Sequence, residues 1–551
     1  MKPVYLLMIV FLLPISLDFS AARVTFRPAS LATTATVTVT NATDVMNGDI
    51  SGIAALIANP GPDGISFREA IGASNNTIGL KTIEFAPDLK GAIITPGSEG
   101  TVWALFLTSG QLTINGDFDG DGKPDITLDG SLGATNSMGS GFSIWSSHNT
   151  IKSLILDGFY LTASIRPLQD FTLLKTVIGN QFIGNVISST LPGAAGITFG
   201  MTGSGDDSSD YSIQDTLIIN NTISGQDWAV GIVAGSGGAS RNQVINTTIA
   251  NNHLTGGCIC IGAGDVASDW GGVPGPIQYS DNNLIDHLAI VNNVLEDGAY
   301  MSLGAANLGN RYNQVNHVQI SNNTLLRTNG VGIIMFVGTN GGKERSTRLN
   351  AMSDIDIDHN TITGTLTFAI WAGVGCALAG PTPEYPLYAG VEDSQLNRMR
   401  ITDNDIENYH EAGIRISGGC EVPGTLYAAN NILDQLTISG NKIIHTDPND
   451  YDAVGIELRG GESSGGPAQG NIIQGATIFS NTVSGNDIGI SLVGGKGTGA
   501  QANRVVVAVM QANDLAGNTE QVQIVENIEG AMGNFVDLPC KIYLPLIEQN
   551  N

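Results

Sequence analysis

Cysteine is scarce, with five in 551 residues, so disulfides cannot be the framework of this chain. Basic residues are outnumbered, 24 Lys and Arg against 51 Asp and Glu, which leaves a formal charge of −27. A field of that sign repels nucleic acid and anionic headgroups at long range and leaves neutral sugars, cations and basic partners open. It is equally the field of a surface that is merely well solvated. Beyond the first 22 residues no segment is apolar for long enough to read as a membrane span. There is no P-loop, no metalloprotease helix motif, no nucleophile elbow and no Cys/His zinc spacing. The seven histidines are scattered, so a clustered metal site is not expected. A helical period is missing as well.

What is present begins with Lys2, an apolar run over 4–17 and the small residues Ser20, Ala21 and Ala22. That layout predicts a signal peptide over 1–22 and an exported protein, secreted or held at the cell surface. Then comes repetition. Ten times the chain spells an aliphatic residue, two free positions, an Asn, one free position and another apolar residue. The plainest copies surround Asn221, Asn252, Asn293 and Asn323; Asn360, Asn404, Asn441, Asn481 and Asn513 continue the series, and Asn180 is a looser first copy. Successive asparagines lie 30 to 44 residues apart, a period of stacked structural repeats. Each repeat reads as three short strands: one carrying the Asn phrase, one opening on Gly or Ala as at Gly413, Gly455 and Gly489, and one often opening on a second Asn, as at Asn242, Asn313, Asn471, Asn503 and Asn534. Asparagine suits the corners because its side chain can bond neighbouring coils and it tolerates left-handed backbone.

This pattern resembles the right-handed parallel β-helix of pectate-lyase-like proteins. The resemblance implies an all-β fold of about ten or more three-stranded coils over 96–538, followed by a tail over 539–551. Upstream, Ile65-Ser-Phe-Arg-Glu-Ala-Ile71, Asn75-Asn76 and Thr82-Ile-Glu-Phe85 resemble the CSLREA domain of secreted bacterial β-helix proteins, with Gly64 and Phe67 where that family carries Cys and Leu. A cap over 33–95 follows, with a short helix over 66–74, Ser66 as its N-cap and Glu69 three residues on.

The Asn-Thr-Asp, paired-Asp, Gly-His-Gly and Arg-Ile-Lys motifs of polygalacturonase-like hydrolases are missing, as is the Trp-Ile-Asp-His signature of pectate lyases. No catalytic residue transfers from either group. A site must come from alternation: in the Gly-led strands, residues between inward aliphatics should form an outward column of Cys260, Ser302, Met335, Trp371, Arg415, Glu457 and Ser491. Trp371 offers a sugar platform, Arg415 a cation and Glu457 a carboxylate; alternatively the three satisfy one another by cation–π and ion-pair contacts. Nearby loops add Tyr385, Tyr388 and His410 as substrate-binding candidates, and Glu411 and Asp452 as acid/base candidates beside Glu457 and Arg415. A second candidate joins Asp227 and Trp228 to Glu296 and Asp297. Asp117, Asp119, Asp121 and Asp125 surround Gly122 like an Asp-rich calcium loop, although Leu128 stands where an EF-hand has Glu; the reading is a structural Ca²⁺ ion or a solvated acidic turn. Cys376 and Cys420 fall at one offset in consecutive repeats, so stacking brings them about 4.8 Å apart and predicts a disulfide. Cys258 and Cys260 read as small strand residues, and Cys540 has no evident partner.

The expected function is a monomeric secreted or cell-surface protein that binds, or binds and cleaves, a polysaccharide or cell-surface glycan along its loop-decorated face. The alternative is a non-enzymatic surface or adhesive protein presenting variable loops.

Overall fold

The computed structural model describes residues 34–538 except 100–103, 137–139, 168–174, 203–207, 265–278, 307–308, 340–344, 377–389, 421, 424–425 and 448–451. The expected signal peptide and tail, and with them Cys540, lie outside the described residues, as do Tyr385 and Tyr388. The chain is a parallel β-helix. Among the described residues three long sheets of 17, 13 and 12 strands stack, and their strands pair in parallel with counterparts in adjacent coils. Among the described residues no helix is long and apolar enough to cross a membrane.

The Asn phrase turns out to be a corner. Its first aliphatic residue is the penultimate one of a strand of the 17-stranded sheet and its last one sits in a three-residue strand of the 12-stranded sheet, as in Ile218 and Ile223. Stacking turns each position into a column. Ile218, Ile249, Ile290, Ile320, Ile357, Ile401, Ile438 and Ile478 lie rung above rung, all fully buried. Removing such columns from water is the main driving force for the fold.

The corner asparagines are buried and linked by their carboxamides. The backbone N–H of each donates to the Oδ1 of the Asn one coil on, at 2.9–3.1 Å, from Asn185 through Asn221, Asn252, Asn293, Asn323, Asn360, Asn404, Asn441 and Asn481 to Asn513. Each Nδ2 donates as well, for example from Asn252 to the Ile218 carbonyl at 2.9 Å. Backbone groups that the turn would otherwise strand are thereby satisfied. Two expectations need correcting. The first rung is Asn185, whereas Asn180 belongs with Asn149 at another corner. The left-handed residue is the one before the ladder, namely Asn220, Asn251, Asn292 and Asn322 at φ 56–57°, so the ladder asparagines are chosen for their side chains alone. The second set forms its own ladder, from Asn242 through Asn283 and Asn313 to Asn350 and from Asn431 through Asn471 and Asn503 to Asn534; at the break, Ser394 donates its N–H to Asn431.

The N-terminal end carries two helices, α1 (Ile53–Ala58) and α2 (Phe67–Asn75). The first was not expected. Ser66 and Glu69 form a full capping box on α2, and the buried Glu69 also accepts from the backbone of Asn47 and Gly48 at 2.6 Å. Arg68 pairs with Asp44 at 2.9 Å and reaches the Ala104 carbonyl, while Phe67 packs 5.5 Å from Phe85. The apolar core is continuous from these helices into the coils. At Gly64, φ is 90° and a Cβ would come 2.5 Å from the Thr40 hydroxyl, so the position suits glycine.

Asn360→Ala should strand the N–H and Nδ2 of Asn323 and the Ile320 carbonyl. We expect a loss of about 2–3 kcal/mol, read as a lowered guanidinium midpoint, against less than about 0.5 kcal/mol for the exposed Gln319→Ala in the preceding coil. Equal midpoints for the two variants would show that the ladder does not hold the coils.

Candidate functional site

The column predicted on the 13-stranded sheet exists with one change. Cys260, Ser302, Ile334, Trp371, Arg415, Glu457 and Ser491 are successive register partners. Met335 was expected outward but is fully buried in the core, paired with Leu303. Ile333 and Met335 are both inward, and a one-residue misreading of a strand exchanges its faces.

The column is not an open platform. Trp371 is 9% exposed, and Arg415 and Glu457 are 6% each, which corrects the expectation of an exposed tryptophan. Phe336 meets Trp371 edge-on at 4.8 Å and Phe368 lies 4.9 Å away. The Arg415 guanidinium covers the Phe368 ring at 4.9 Å and the Trp371 ring at 5.7 Å. It also contacts three carboxylates: Glu462 at 2.5 Å, Glu457 at 3.4 Å and Glu411 at 3.8 Å. Arg459 completes the network by binding Glu457 and Glu462, with the Lys496 ammonium 3.9 Å from Glu462. Burial alone would push the Glu457 carboxyl up, but the guanidiniums of Arg459 and Arg415 outweigh it and hold the group below its ordinary value. That direction favours the ionised form of Glu457, whereas a general acid needs a raised value.

No family model and no curated protein sequence matches the chain. Solved structures that resemble it include the following two. The Dettilon tailspike protein is 15% identical with a TM-score of 0.31, over 89% of this chain and 68% of that one. The mannuronan C-5 epimerase A-module of Azotobacter vinelandii is 10% identical with a TM-score of 0.26, over 84% and 91%.

Around the strip the candidates divide. Glu411 and His410 are exposed on the turn that enters the Arg415 strand, and Asp452 is exposed at the equivalent place one coil on. The Asp452 backbone N–H bonds the Asp487 carboxylate. Glu411 touches the Arg415 network at 3.8 Å. Tyr409 is buried beneath them, its hydroxyl on Asn486. In the second candidate, Asp227 accepts from the Gly193 N–H at 2.8 Å, Glu296 faces His253 at 3.5 Å and Asp297 binds Arg327 at 2.7 Å; these contacts pair the acids off individually.

Cys376 and Cys420 are disulfide-bonded with Cα atoms 4.5 Å apart, beside the Phe336–Trp371 cluster. Cys258 and Cys260, read as plain strand residues, are bonded to each other. In the acidic loop, Asp117, Asp119 and Asp125 gather oxygens within 4.8 Å of one another, and Asp121 is not among them. The Lys90 ammonium sits 2.5 Å from Asp119 and 3.3 Å from Asp125. Hydrogen bonds to Asp119 and then Asp125 push that ammonium up to about 12.

Sequence reasoning missed Arg459, Glu462, Lys496 and Lys90. Arg459 was within reach, because it alternates with Glu457 on the same face.

Because Glu457 is held below its ordinary 4.5, its pairing stabilises the fold fully above about pH 4.5 and is lost as pH falls toward the lower folded value. Glu457→Gln should cost about 3–5 kcal/mol near neutral pH by leaving buried guanidiniums underpaired. Its deficit relative to wild type should shrink in acid. A deficit that stayed constant from neutral pH to about pH 3, followed by denaturant midpoints, would assign the effect to packing instead of charge.

Proposed function

We propose that this chain is a secreted or cell-surface β-helix that binds a neutral or weakly charged polysaccharide without cleaving it. The observation that carries the second half is the closed Arg415–Glu457–Glu462–Arg459 network: both guanidiniums contact two buried carboxylates each, and Glu457 is held below its ordinary value. Bond cleavage at this strip would need two carboxyl groups free to exchange protons at a sugar oxygen.

Binding is supported by the outer faces. On the 12-stranded sheet Thr222, His253, Val294, Thr324, Thr361, Asp405, Lys442 and Thr482 form one outward column, which offers hydroxyls and charges at a spacing of about 4.8 Å per rung. A polymer of repeating sugars suits such a repeating surface, and the pectate-lyase-like fold is a host for polysaccharide sites; the latter is an argument by fold analogy. In this reading His410, Glu411 and Asp452 line the rim of the contact surface, Tyr385 and Tyr388 supply ring stacking, and Trp371 and Arg415 support the rim from below.

A structural Ca²⁺ ion belongs to the same proposal. Asp117, Asp119 and Asp125 form an all-oxygen donor set of the kind calcium takes, and Lys90 stands in the place of the cation. Calcium would displace that ammonium and brace the early coils.

A polysaccharide array with reducing-end detection should show binding, no released ends, and weaker binding for His410→Ala. Released ends would overturn the non-cleaving reading, and no binding to any glycan would overturn the polysaccharide. For calcium, thermal unfolding should rise by a few degrees over a chelated sample, on the order of 1 kcal/mol. The rise should be larger in Lys90→Met, which removes the internal competitor, and lost in Asp117→Asn. A melting temperature indifferent to calcium in all three would remove the ion from the proposal.

A further inference from the structure

The 17-stranded sheet contains a bend at which successive coils place a left-handed residue: Asn246, His287, His317, Asp354, Arg398 and Gln435, all at φ 50–59°. Their side chains therefore leave the sheet in the same direction, one rung apart. At the second and third positions this brings together two histidines that are 30 residues apart in sequence. Their rings stack with centroids 4.6 Å apart and planes 21° from parallel. Asp286, beside the first ring, touches both: its Oδ2 lies 3.1 Å from the His287 Nδ1 and its Oδ1 lies 2.7 Å from the His317 Nδ1. On the far side of His317, the Asp354 carboxylate is 3.7 Å from Nε2 and is itself clamped by Arg398 at 2.6 Å through both oxygens. Scattered histidines had argued against a clustered metal site; the coil period undoes that argument.

We propose that His287, His317 and Asp286 form a binding site for one divalent transition-metal ion of the Zn²⁺ or Ni²⁺ class. One ligand atom from each residue already lies within 4.8 Å of the others. Two imidazole nitrogens with one carboxylate select borderline ions over the hard cations that an all-oxygen loop prefers. Both histidine side chains are about half exposed, 60% and 51%, so the rings can tilt from stacking distance to metal–nitrogen bonds of about 2.1 Å while water fills the outer positions. Asp354 and the chain's charge of −27 add a field that concentrates cations at this face.

The test is a calorimetric titration of ZnCl₂ into the chelator-stripped full chain, with excess calcium present to occupy oxygen-only sites. One equivalent should bind. His287→Gln and His317→Gln should each weaken binding at least about ten-fold, and both should fold, since Gln435 already occupies this column at φ 59°. His359→Gln is the control: that ring meets Asp358 at 3.0 Å and faces no second histidine in the cluster, so zinc binding should be unchanged. Circular dichroism establishes that each variant is folded. Zinc affinity indifferent to His317→Gln, equal losses in the His359 control, or no binding at millimolar zinc would each overturn the site.

Discussion

The stacked carboxamide at the corner is the interaction on which the rest of this molecule depends. A strand that must turn sharply every few residues strands backbone groups at each corner, where a sheet ladder cannot reach them. An Asn side chain is long enough to accept from the N–H of one coil and to donate to the carbonyl of another, and it does so from Asn185 to Asn513 at near-constant geometry. Because each carboxamide serves two coils, the ladder fixes the rotation of every coil relative to the next. Aliphatic columns inside and polar columns outside then follow from position alone. The core adds most of the free energy, but it would tolerate slippage, since one isoleucine stacks on another as well as on the next; the carboxamides would not.

Charge is handled differently on the two sides of the sheets. Outside, acids and bases pair across adjacent coils, as Asp354 with Arg398 and Asp356 with Arg400, where solvent makes each pair worth little. Where charge is drawn under cover, as at Arg415, Glu457, Arg459 and Glu462, every member has more than one partner, and aromatic rings close one side. A buried charge with one partner would be costly; a closed network is tolerable. In the proposed reading, that same closure keeps Glu457 out of proton exchange. The strip reads as a structural joint reinforced by the Cys376–Cys420 bond, and the exposed rim is left as the surface a ligand could meet.

Much of this was legible because a solenoid writes one physical demand many times. The corner ladder, the three-strand coil and the capping box of Ser66 and Glu69 all rest on local rules or on repetition. What escaped has a common cause: it depends on contacts between columns, which sequence offset does not encode. The burial of Trp371 comes from Phe336 on the preceding strand and Phe368 on its own. Lys90 reaches the acidic loop from nearly 30 residues upstream, and nothing in the Asp spacing announces it. The Cys258–Cys260 bond joins two residues of a single strand, where alternation showed a shared face but not that the sulfurs would meet. The slip at Met335 was a phase error in a strand whose residues, Ile333, Ile334 and Met335, are all apolar, so that composition could not say which ones faced in.

The same property changes how chemistry should be sought in such a chain. In a globular fold, residues that act together come from scattered positions, and scarcity of a residue type argues against a cluster. In a coil of fixed period, two residues at equal offset in consecutive copies are neighbours by construction, however rare the type. Cys376 with Cys420, Asp354 with Arg398, and His287 with His317 are three instances, each pair one coil apart. Seven histidines in 551 residues look sparse until they are placed on the ladder, where two of them share one carboxylate. The corner asparagines are buried and their carboxamides are used by one another, yet by holding the register they decide which side chains become neighbours, and so which chemistry the surface can support.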